Sequence, residues 1–264
     1  MTTSEAIDNV VILQEQKELV DKAYALELGG IAEALEDQFS NPAIFGSMTF
    51  EDRLGRCLRS QEETVQSQKF ENLYDKSNIR RRIYLNQLSP NAEHGLTEEC
   101  LALFAETSYI RQFVNIVING PAGVGKSALA IAAAIEAMKK GYSVRYFRMM
   151  EFAAVIDAKT ENAFSRFKNQ LYKVDLLILD DMGGSILTDS VAIRFNEIID
   201  ARYNAGSTII TSQLKKDSLK EIIPEGPIRG AVTDRLFRKN DIEIRLKGSS
   251  WRGQQLEIKG IRTK

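Results

Sequence analysis

A glycine-rich loop between an apolar run and a helix-forming stretch constrains this chain more than any other feature. Residues 120–127 read GPAGVGKS and fit the pattern GxxxxGK[ST]. The preceding run FVNIVIN, at 113–119, predicts a buried strand, and the alanine-rich stretch from about Lys126 to Lys140 predicts a helix. A loop of this pattern in this context is typical of phosphate binding, whereas a glycine-rich surface turn is the weaker interpretation. The segment therefore predicts an α/β fold with a nucleotide site.

The residue types of the loop fit that chemistry. Glycines allow a tight turn that points successive backbone N–H groups at phosphate oxygens, and the N-terminus of the following helix adds its dipole. Lys126 is expected to reach the β and γ phosphates, and Ser127 is expected to coordinate Mg²⁺. The predicted nucleotide-binding residues of the loop are Gly120, Pro121, Ala122, Gly123, Val124, Gly125, Lys126 and Ser127.

A second acidic element lies downstream of the loop. The run DLLILDD, at 175–181, has four apolar residues that predict a central strand, followed by two aspartates. Asp180 is expected at the sheet edge beside the phosphate loop, where its carboxylate would bind Mg²⁺, and Asp181 is expected to orient and deprotonate the attacking water. Taken alone, the pair could equally be two solvated acids at a strand end.

A third apolar run, STIITSQ at 207–213, ends in polar residues. Thr211, Ser212 and Gln213 are expected near the γ-phosphate if this strand lies between the other two, and the alternative is a strand followed by turn residues. Of the three, Gln213 is assigned to the nucleotide site.

The segment RGAVTDRLFRK, at 229–239, contains two candidate arginines. Arg229 or Arg235 could present its guanidinium to the nucleotide of a neighbouring subunit and stabilise the charge on the transferred phosphoryl group. A single surface arginine is more often simply solvated.

The rest of the sequence after about residue 89 alternates short apolar runs with helical stretches. Strands are predicted at 142–147 and near 241–248, and helices at about 149–171 and 189–203. Such alternation favours a parallel sheet with helices on both faces.

The first third of the chain is predicted to be all helical. One helix is expected to run to about Leu28, with a break at Gly29 and Gly30, and a second helix to stop at Asn41 and Pro42. A third helix is expected to begin at Thr49, because Asp52 follows three residues later in a capping pattern. It should continue towards Tyr84, with an apolar stripe formed by Phe50, Leu54 and Leu58.

These patterns predict three regions. Residues 1–88 form a small helical domain, residues 89–250 form the nucleotide-binding domain, and residues 251–264 form a basic C-terminal tail. The polar segment QLSPNAEHGLT, at the first of these boundaries, is expected to connect the helical domain to the alternating strands and helices.

The charge balance excludes a chain-wide basic excess, since 35 Lys and Arg residues face 36 Asp and Glu residues. DNA binding would therefore need a local patch, and the candidate residues are Lys76, Arg80, Arg81 and Arg82. Such a cluster neutralises phosphates without reading bases. The alternative is a solvated helix face.

Cysteine content and hydropathy indicate a reducing compartment and no membrane partner. Cys57 and Cys100 are isolated, and His94 is the single histidine, so neither a zinc site nor a disulfide framework is indicated. The most apolar run, at 128–138, is far shorter than the roughly 20 residues needed to span a bilayer. A cytoplasmic location is expected.

The combined motifs resemble those of the AAA+ ATPases, and more narrowly the IstB/DnaC branch. The resemblance is greatest to IstB, the helper ATPase of bacterial insertion sequences whose transposase is called IstA. It covers about residues 25–253 and rests on the following segments: LELGGIAEALEDQFSNP, SMTFEDRLGRCL, INGPAGVGKSALAIAAAIEAMKKGYSVRYF, DLLILDDMG, ARYNAGSTIITSQL, AVTDRLFRKNDIEIRLKG and SSWRG.

The resemblance implies an AAA+ P-loop core without a C-terminal helical lid, and ATP and Mg²⁺ as cofactors. It implies catalytic roles for Lys126, Asp181 and Arg235, with Arg235 supplied in trans, and metal binding by Ser127 and Asp180. Proteins like this assemble as ATP-dependent oligomers on duplex DNA, remodel it, and recruit or stimulate an IstA-type transposase.

Two residues depart from the family pattern. Asp181 stands where many AAA+ proteins have Glu, and one methylene less predicts slow hydrolysis. Gln213 stands where Asn is usual.

Two other functions share the nucleotide core. A DnaC-type helicase loader would engage a helicase and single-stranded DNA, and the segments LGGIAEALEDQ and TFEDRL favour the transposition helper over it. A small-molecule kinase would act as a monomer and ignore DNA, and the segment carrying Arg235 counts against it.

Overall fold

The structure, a computed structural model, describes residues 3–248, with side chains from residue 13 onward. The chain divides into two compact units, Met1–Glu71 and Asn72–Lys264. This division lies earlier than the expected boundary after residue 88, because the segment after the long N-terminal helix belongs to the larger unit. The predicted basic tail, 251–264, lies outside the described residues.

The N-terminal unit is helical, as the sequence predicted. Its helices are α1 (Thr3–Ala25), α2 (Gly29–Ser40), α3 (Pro42–Phe45) and α4 (Phe50–Lys76), the last of which runs beyond the division. Thr49 caps α4, since its Oγ1 accepts a hydrogen bond of 3.2 Å from the backbone N–H of Asp52.

The two predicted breaker glycines are part of a helix. The chain turns before them, at Glu27 with φ of 60°, and α2 begins at Gly29. Gly30 is required for packing, because a Cβ there would lie 2.5 Å from the backbone oxygen of Ser60 on α4. The glycine therefore permits a close approach of two helices.

The predicted apolar stripe of α4 is not buried. Phe50, Leu54 and Leu58 are 73%, 43% and 56% exposed, and the buried residue of the helix is Cys57. Gln38 of α2 decides which face packs: it donates to Arg53 O at 3.0 Å and accepts from Arg53 Nε at 2.9 Å. The helix also ends at Lys76, short of Tyr84, because Asn78 adopts a left-handed φ of 67°.

The larger unit is built on a five-stranded parallel sheet in the order β2-β3-β4-β1-β5. The strands are β1 (Ile116–Asn119), β2 (Val144–Arg148), β3 (Leu176–Met182), β4 (Ser207–Ser212) and β5 (Ile242–Arg245). All five predicted strands are present, and β4 lies between β3 and β1, which was the condition for Thr211 to approach the nucleotide site.

Helices precede and connect these strands. They are α5 (Glu98–Glu106), α6 (Ser108–Arg111), α7 (Lys126–Lys139), α8 (Met149–Asp157), α9 (Glu161–Tyr172), α10 (Asp189–Arg202), α11 (Lys216–Leu219) and α12 (Pro227–Leu236). Within residues 3–248, no helix follows β5. No described helix is both long and apolar enough to cross a membrane.

Both faces of the central strands are covered, since every residue of β1 and β4 is buried. Val117, Leu177 and Ile210 belong to a core that contains Phe152 of α8 and Phe195 of α10. The alanines of α7 pack the helix closely against the sheet, and Ala130, Ala132, Ala133 and Ala134 are fully buried. This core fixes the strand ends that carry the site.

Candidate nucleotide-binding site

The glycine-rich loop joins the carboxyl end of β1 to the amino end of α7, as the sequence predicted. Gly120, Gly123 and Gly125 have φ of 150°, 80° and 97°, which side chains rarely adopt. A Cβ at Gly120 would also lie 2.3 Å from the backbone oxygen of Leu246. The loop therefore needs its glycines for conformation and for close packing, and it opens onto a helix N-terminus suited to anions.

Lys126 is held inside this loop. Its side chain is 7% exposed, and its Nζ donates hydrogen bonds to Gly120 O at 2.8 Å and Pro121 O at 2.7 Å. The ammonium therefore lies among the backbone groups that would surround a phosphate, close to its predicted contact.

Asp180 lies near the end of β3, with its carboxylate fixed by two hydroxyl groups. Oδ1 accepts a hydrogen bond from Thr211 Oγ1 of β4, and Oδ2 accepts one of 2.6 Å from Tyr146 Oη of β2. Burial, and then the Asp180 carboxylate, raise the pKa of Tyr146. Tyr146 is therefore kept protonated, as a donor to Asp180.

Asp181 differs sharply from its neighbour. It is exposed, whereas Asp180 is 4% exposed. Its φ is 58°, at an irregularity between Leu179 and Met182 where the pairing of β3 with β4 shifts register. The backbone N–H of Asp181 donates to Thr211 Oγ1 at 2.9 Å. Thr211 thus contacts both aspartates. The shift in register between β3 and β4 leaves the Asp180 carboxylate buried and Asp181 exposed.

The other polar residues at the end of β4 behave differently from Thr211. Ser212 Oγ donates to Met182 O and accepts from Leu214 N–H at 2.9 Å, so it serves the local backbone. Gln213 follows the strand and is exposed, and its contact with the nucleotide remains a prediction.

Ser127 and Asp180, the two predicted Mg²⁺ ligands, line one cavity of about 750 Å³. A hydroxyl and a carboxylate are the hard oxygen ligands that Mg²⁺ prefers, and phosphate oxygens and water usually complete its coordination. Among the described residues, no group of three or more His, Cys, Asp or Glu side chains could hold a metal by itself. The donor set fits a metal bound together with a nucleotide.

The predicted DNA-binding arginines are exposed, but they do not lie on a helix. Helix α4 ends at Lys76, and the three arginines follow in an irregular segment. Arg80 and Arg81 line the cavity that contains Ser127 and Asp180. Arg82 instead lies with its guanidinium 4.4 Å from the centre of the Tyr74 ring.

Arg235, on α12, lies at the opposite edge of the sheet from the phosphate loop. Its backbone oxygen accepts a hydrogen bond of 3.3 Å from Asn115 Nδ2, and Asn115 precedes β1. The loop follows β1, and the first and last residues of this four-residue strand are about 10 Å apart. The Arg235 Nε contacts Asp200 Oδ1 at 2.6 Å.

Arg229, the alternative candidate on the same helix, is bound to its own loop. Its Nε donates to Ile223 O at 2.8 Å, and one of its terminal nitrogens lies 3.8 Å from Glu225. Arg235 also donates to nearby backbone, to Ala231 O at 2.9 Å, so the two arginines differ in their ion pairs: Arg229 pairs with Glu225 beside its own helix, and Arg235 pairs with Asp200 of α10.

Comparison with protein families gives a match over most of the chain. The model described as IstB-like ATP binding protein matches residues 21–258. The chain belongs to this family.

Individual relatives agree with this family. The ATP-binding protein of insertion sequence IS1162 from Pseudomonas fluorescens is 35% identical over 197 residues, which cover 74% of this chain and 85% of that protein. An insertion sequence ATP-binding protein of Sinorhizobium fredii is 31% identical over 237 residues, which cover 89% of this chain and 96% of that protein.

Solved structures show the same AAA+ fold. The crystal structure of DnaI has a TM-score of 0.55 at 20% identity and covers 64% of this chain and 95% of its own. AMPPCP-bound DnaA from Aquifex aeolicus has a TM-score of 0.53 at 22% identity, covering 64% of this chain and 51% of its own. The predicted family and fold are both confirmed: this is an AAA+ P-loop protein of the IstB-like family of insertion sequences.

Three residues of this IstB-like site were not assigned from the sequence. Tyr146 contacts Asp180, and Arg148 lines the same cavity from the end of β2. Thr211 was one of three equivalent candidates, and its contacts distinguish it. The run YSVRYFR does carry a signal for Tyr146 and Arg148, because it predicts a strand and the carboxyl ends of parallel strands lie at one edge of the sheet. The sequence does not give the register, however. Arg148 lies opposite Asp180 because of the pairing of β2 with β3.

Proposed function

We propose that this protein is an ATP-dependent helper of a transposase, which assembles as an oligomer on duplex DNA with ATP bound between neighbouring subunits. The observation that carries the proposal is the separation of Arg235 from the phosphate loop. Lys126, Ser127 and Asp180 lie at the carboxyl edge of the sheet, and Arg235 lies at the amino edge of β1. An arginine so placed serves the nucleotide of a neighbouring copy rather than its own.

Each residue of the site has a role in this hypothesis. Lys126 exchanges its contacts with Gly120 O and Pro121 O for the β and γ phosphates, which keeps its ammonium paired in both states. Ser127 and Asp180 hold Mg²⁺, which neutralises charge on the phosphates when bound. Asp181 accepts a proton from the water that attacks the γ phosphorus, and ADP leaves.

The partners follow from the family. Its members are ATP-binding proteins of insertion sequences, which supports a transposase of IstA type as the partner. ATP binding would assemble subunits around duplex DNA, and hydrolysis would release them. A DnaC-type helicase loader, which would share the same nucleotide core, is the alternative.

The first experiment measures ATP hydrolysis without DNA, with random-sequence duplex and with single strands, and follows particle mass in the same samples. We expect slow hydrolysis that duplex DNA stimulates, together with large assemblies on duplex. A response to single strands alone, or to a replicative helicase, would instead support the loader.

The trans role of Arg235 has a sharper test in mixed assemblies. We expect Lys126→Ala and Arg235→Ala proteins each to be inactive, and a mixture to regain hydrolysis where an intact loop faces an intact arginine. Asp200→Ala is the matched control, because it breaks the same ion pair and keeps the guanidinium. Full DNA-stimulated hydrolysis by Arg235→Ala alone would overturn the assignment.

A further inference from the structure

The segment that follows α4 is fixed against the edge strand of the sheet. The backbone N–H of Tyr146, in β2, donates to Ser77 O at 2.8 Å. Ser77 is fully buried, and its Oγ accepts from the N–H of Ile79 at 3.1 Å. Ile79 is itself 7% exposed. The backbone leading to Arg80 and Arg81 is therefore held in one conformation by burial and hydrogen bonds.

This anchoring brings two cations to the nucleotide cavity. Arg80 and Arg81 line it together with Ser127 and Asp180, and Arg148 enters from the end of β2. Within residues 3–248, the side chains of Arg80 and Arg81 form no hydrogen bond and no ion pair with the rest of the protein.

The charges around this cavity favour an anion. Three arginines line it against two acids, Asp180 and Glu151, and Asp180 already accepts two hydrogen bonds from hydroxyl groups. Like charges that line one cavity repel one another, and a bound anion reduces this repulsion. A guanidinium binds phosphate oxygens with two parallel hydrogen bonds.

We propose that Arg80 and Arg81 bind the terminal phosphate of the ATP held by their own chain. The inference rests on the proposed nucleotide site. Ser127 and Asp180 mark the metal-bound end of the triphosphate, and the two arginines share their cavity, which favours a nucleotide phosphate over a DNA phosphate as the anion. The pair then distinguishes ATP from ADP.

The test compares affinities for a non-hydrolysable ATP analogue and for ADP, by calorimetry at fixed Mg²⁺ concentration. For the double variant Arg80→Ala, Arg81→Ala, we expect affinity for the analogue to fall about tenfold or more and affinity for ADP to stay within about twofold. The control is Arg166→Ala, an exposed arginine of α9 that does not line this cavity and should change neither value. If the double alanine variant unfolds at a lower temperature than the unmodified protein, the single alanine variants and the double variant Arg80→Lys, Arg81→Lys are measured instead. The lysine variant keeps both positive charges but lacks the planar guanidinium group.

Other outcomes separate this inference from the function on which it rests. Lys126→Ala should abolish binding of both nucleotides, and if it binds them normally the nucleotide site itself is wrong. If the arginine variants keep the ratio of ATP to ADP affinity, the inference is overturned. If they instead weaken duplex binding and reduce its salt dependence, the two arginines contact DNA.

Discussion

At the scale of single residues, two consecutive aspartates have been given different environments by their neighbours. Asp180 is buried with both carboxylate oxygens bound to hydroxyl groups, and Asp181 is exposed on a left-handed backbone. A regular strand would only have alternated the two side chains between faces. The irregular pairing with β4, fixed through Thr211, separates a residue suited to bind metal from one suited to contact water.

Tyr146 is expected to position the metal ligand. In Tyr146→Phe, Asp180 Oδ2 loses its donor while the ring remains, so the carboxylate is less well oriented. The Mg²⁺ concentration for half-maximal hydrolysis should rise about fivefold, corresponding to roughly 1 kcal/mol for the lost hydrogen bond. Tyr172→Phe, at an exposed position of α9, is the control, and an unchanged Mg²⁺ requirement in Tyr146→Phe would contradict the role.

Asp181 is expected to act in hydrolysis and not in binding. Asn has the same shape and tolerates the left-handed backbone, so Asp181→Asn should fold normally. Hydrolysis should fall about a hundredfold or more, because Asn cannot accept the proton, whereas the dissociation constant for ATP should change little. Single-turnover hydrolysis and equilibrium binding measure the two effects, and hydrolysis at the normal rate would exclude Asp181 as the base.

At the scale of elements, helix packing in the N-terminal unit depends on contacts that hydrophobic periodicity does not report. The periodic residues Phe50, Leu54 and Leu58 are exposed, while α2 and α4 approach through a glycine and a buried glutamine. A polar pair between Gln38 and Arg53 thus selects the packed face. In the larger unit, by contrast, apolar runs such as Leu176–Leu179 of β3 mark the strands, and the positions of the strands followed directly from the sequence.

The two adjacent glycines of α2 offer a matched test of this packing. Gly30→Ala should destabilise the protein by about 1–3 kcal/mol, since the new Cβ would meet the backbone of Ser60. A Cβ at Gly29 would have no atom within 4 Å, so Gly29→Ala should leave the stability of the protein unchanged or raise it by up to about 1 kcal/mol. Denaturant unfolding of the full chain, followed by circular dichroism, gives both values. Equal effects at the two positions would show that helix propensity and not packing determines the result.

At the scale of the whole molecule, the nucleotide loop and Arg235 lie at opposite ends of β1. A complete site in our proposal therefore requires two copies, and nucleotide binding becomes linked to assembly. Anything that binds the assembled form better than the free subunit shifts the population towards assembly.

We expect this linkage to appear in particle mass. A non-hydrolysable ATP analogue should increase the mass of the complex on duplex DNA, and ADP should not. Arg235→Ala should need a higher protein concentration to reach the same mass, because the cation between subunits is lost. Mass photometry across a concentration series measures the shift, and an identical series with ATP analogue and ADP would refute the linkage.

The sequence by itself determined the family, the α/β core and the phosphate loop, because these depend on local patterns. GPAGVGKS needs its glycines for backbone conformation, and uninterrupted apolar runs such as that of β3 have no stable place except a buried strand. The tertiary structure decided which polar side chains meet. Strand order and register bring Tyr146 and Thr211 to Asp180, and the anchored segment brings Arg80 and Arg81 to the same cavity. These contacts join residues far apart in the chain, so no periodicity along the sequence encodes them.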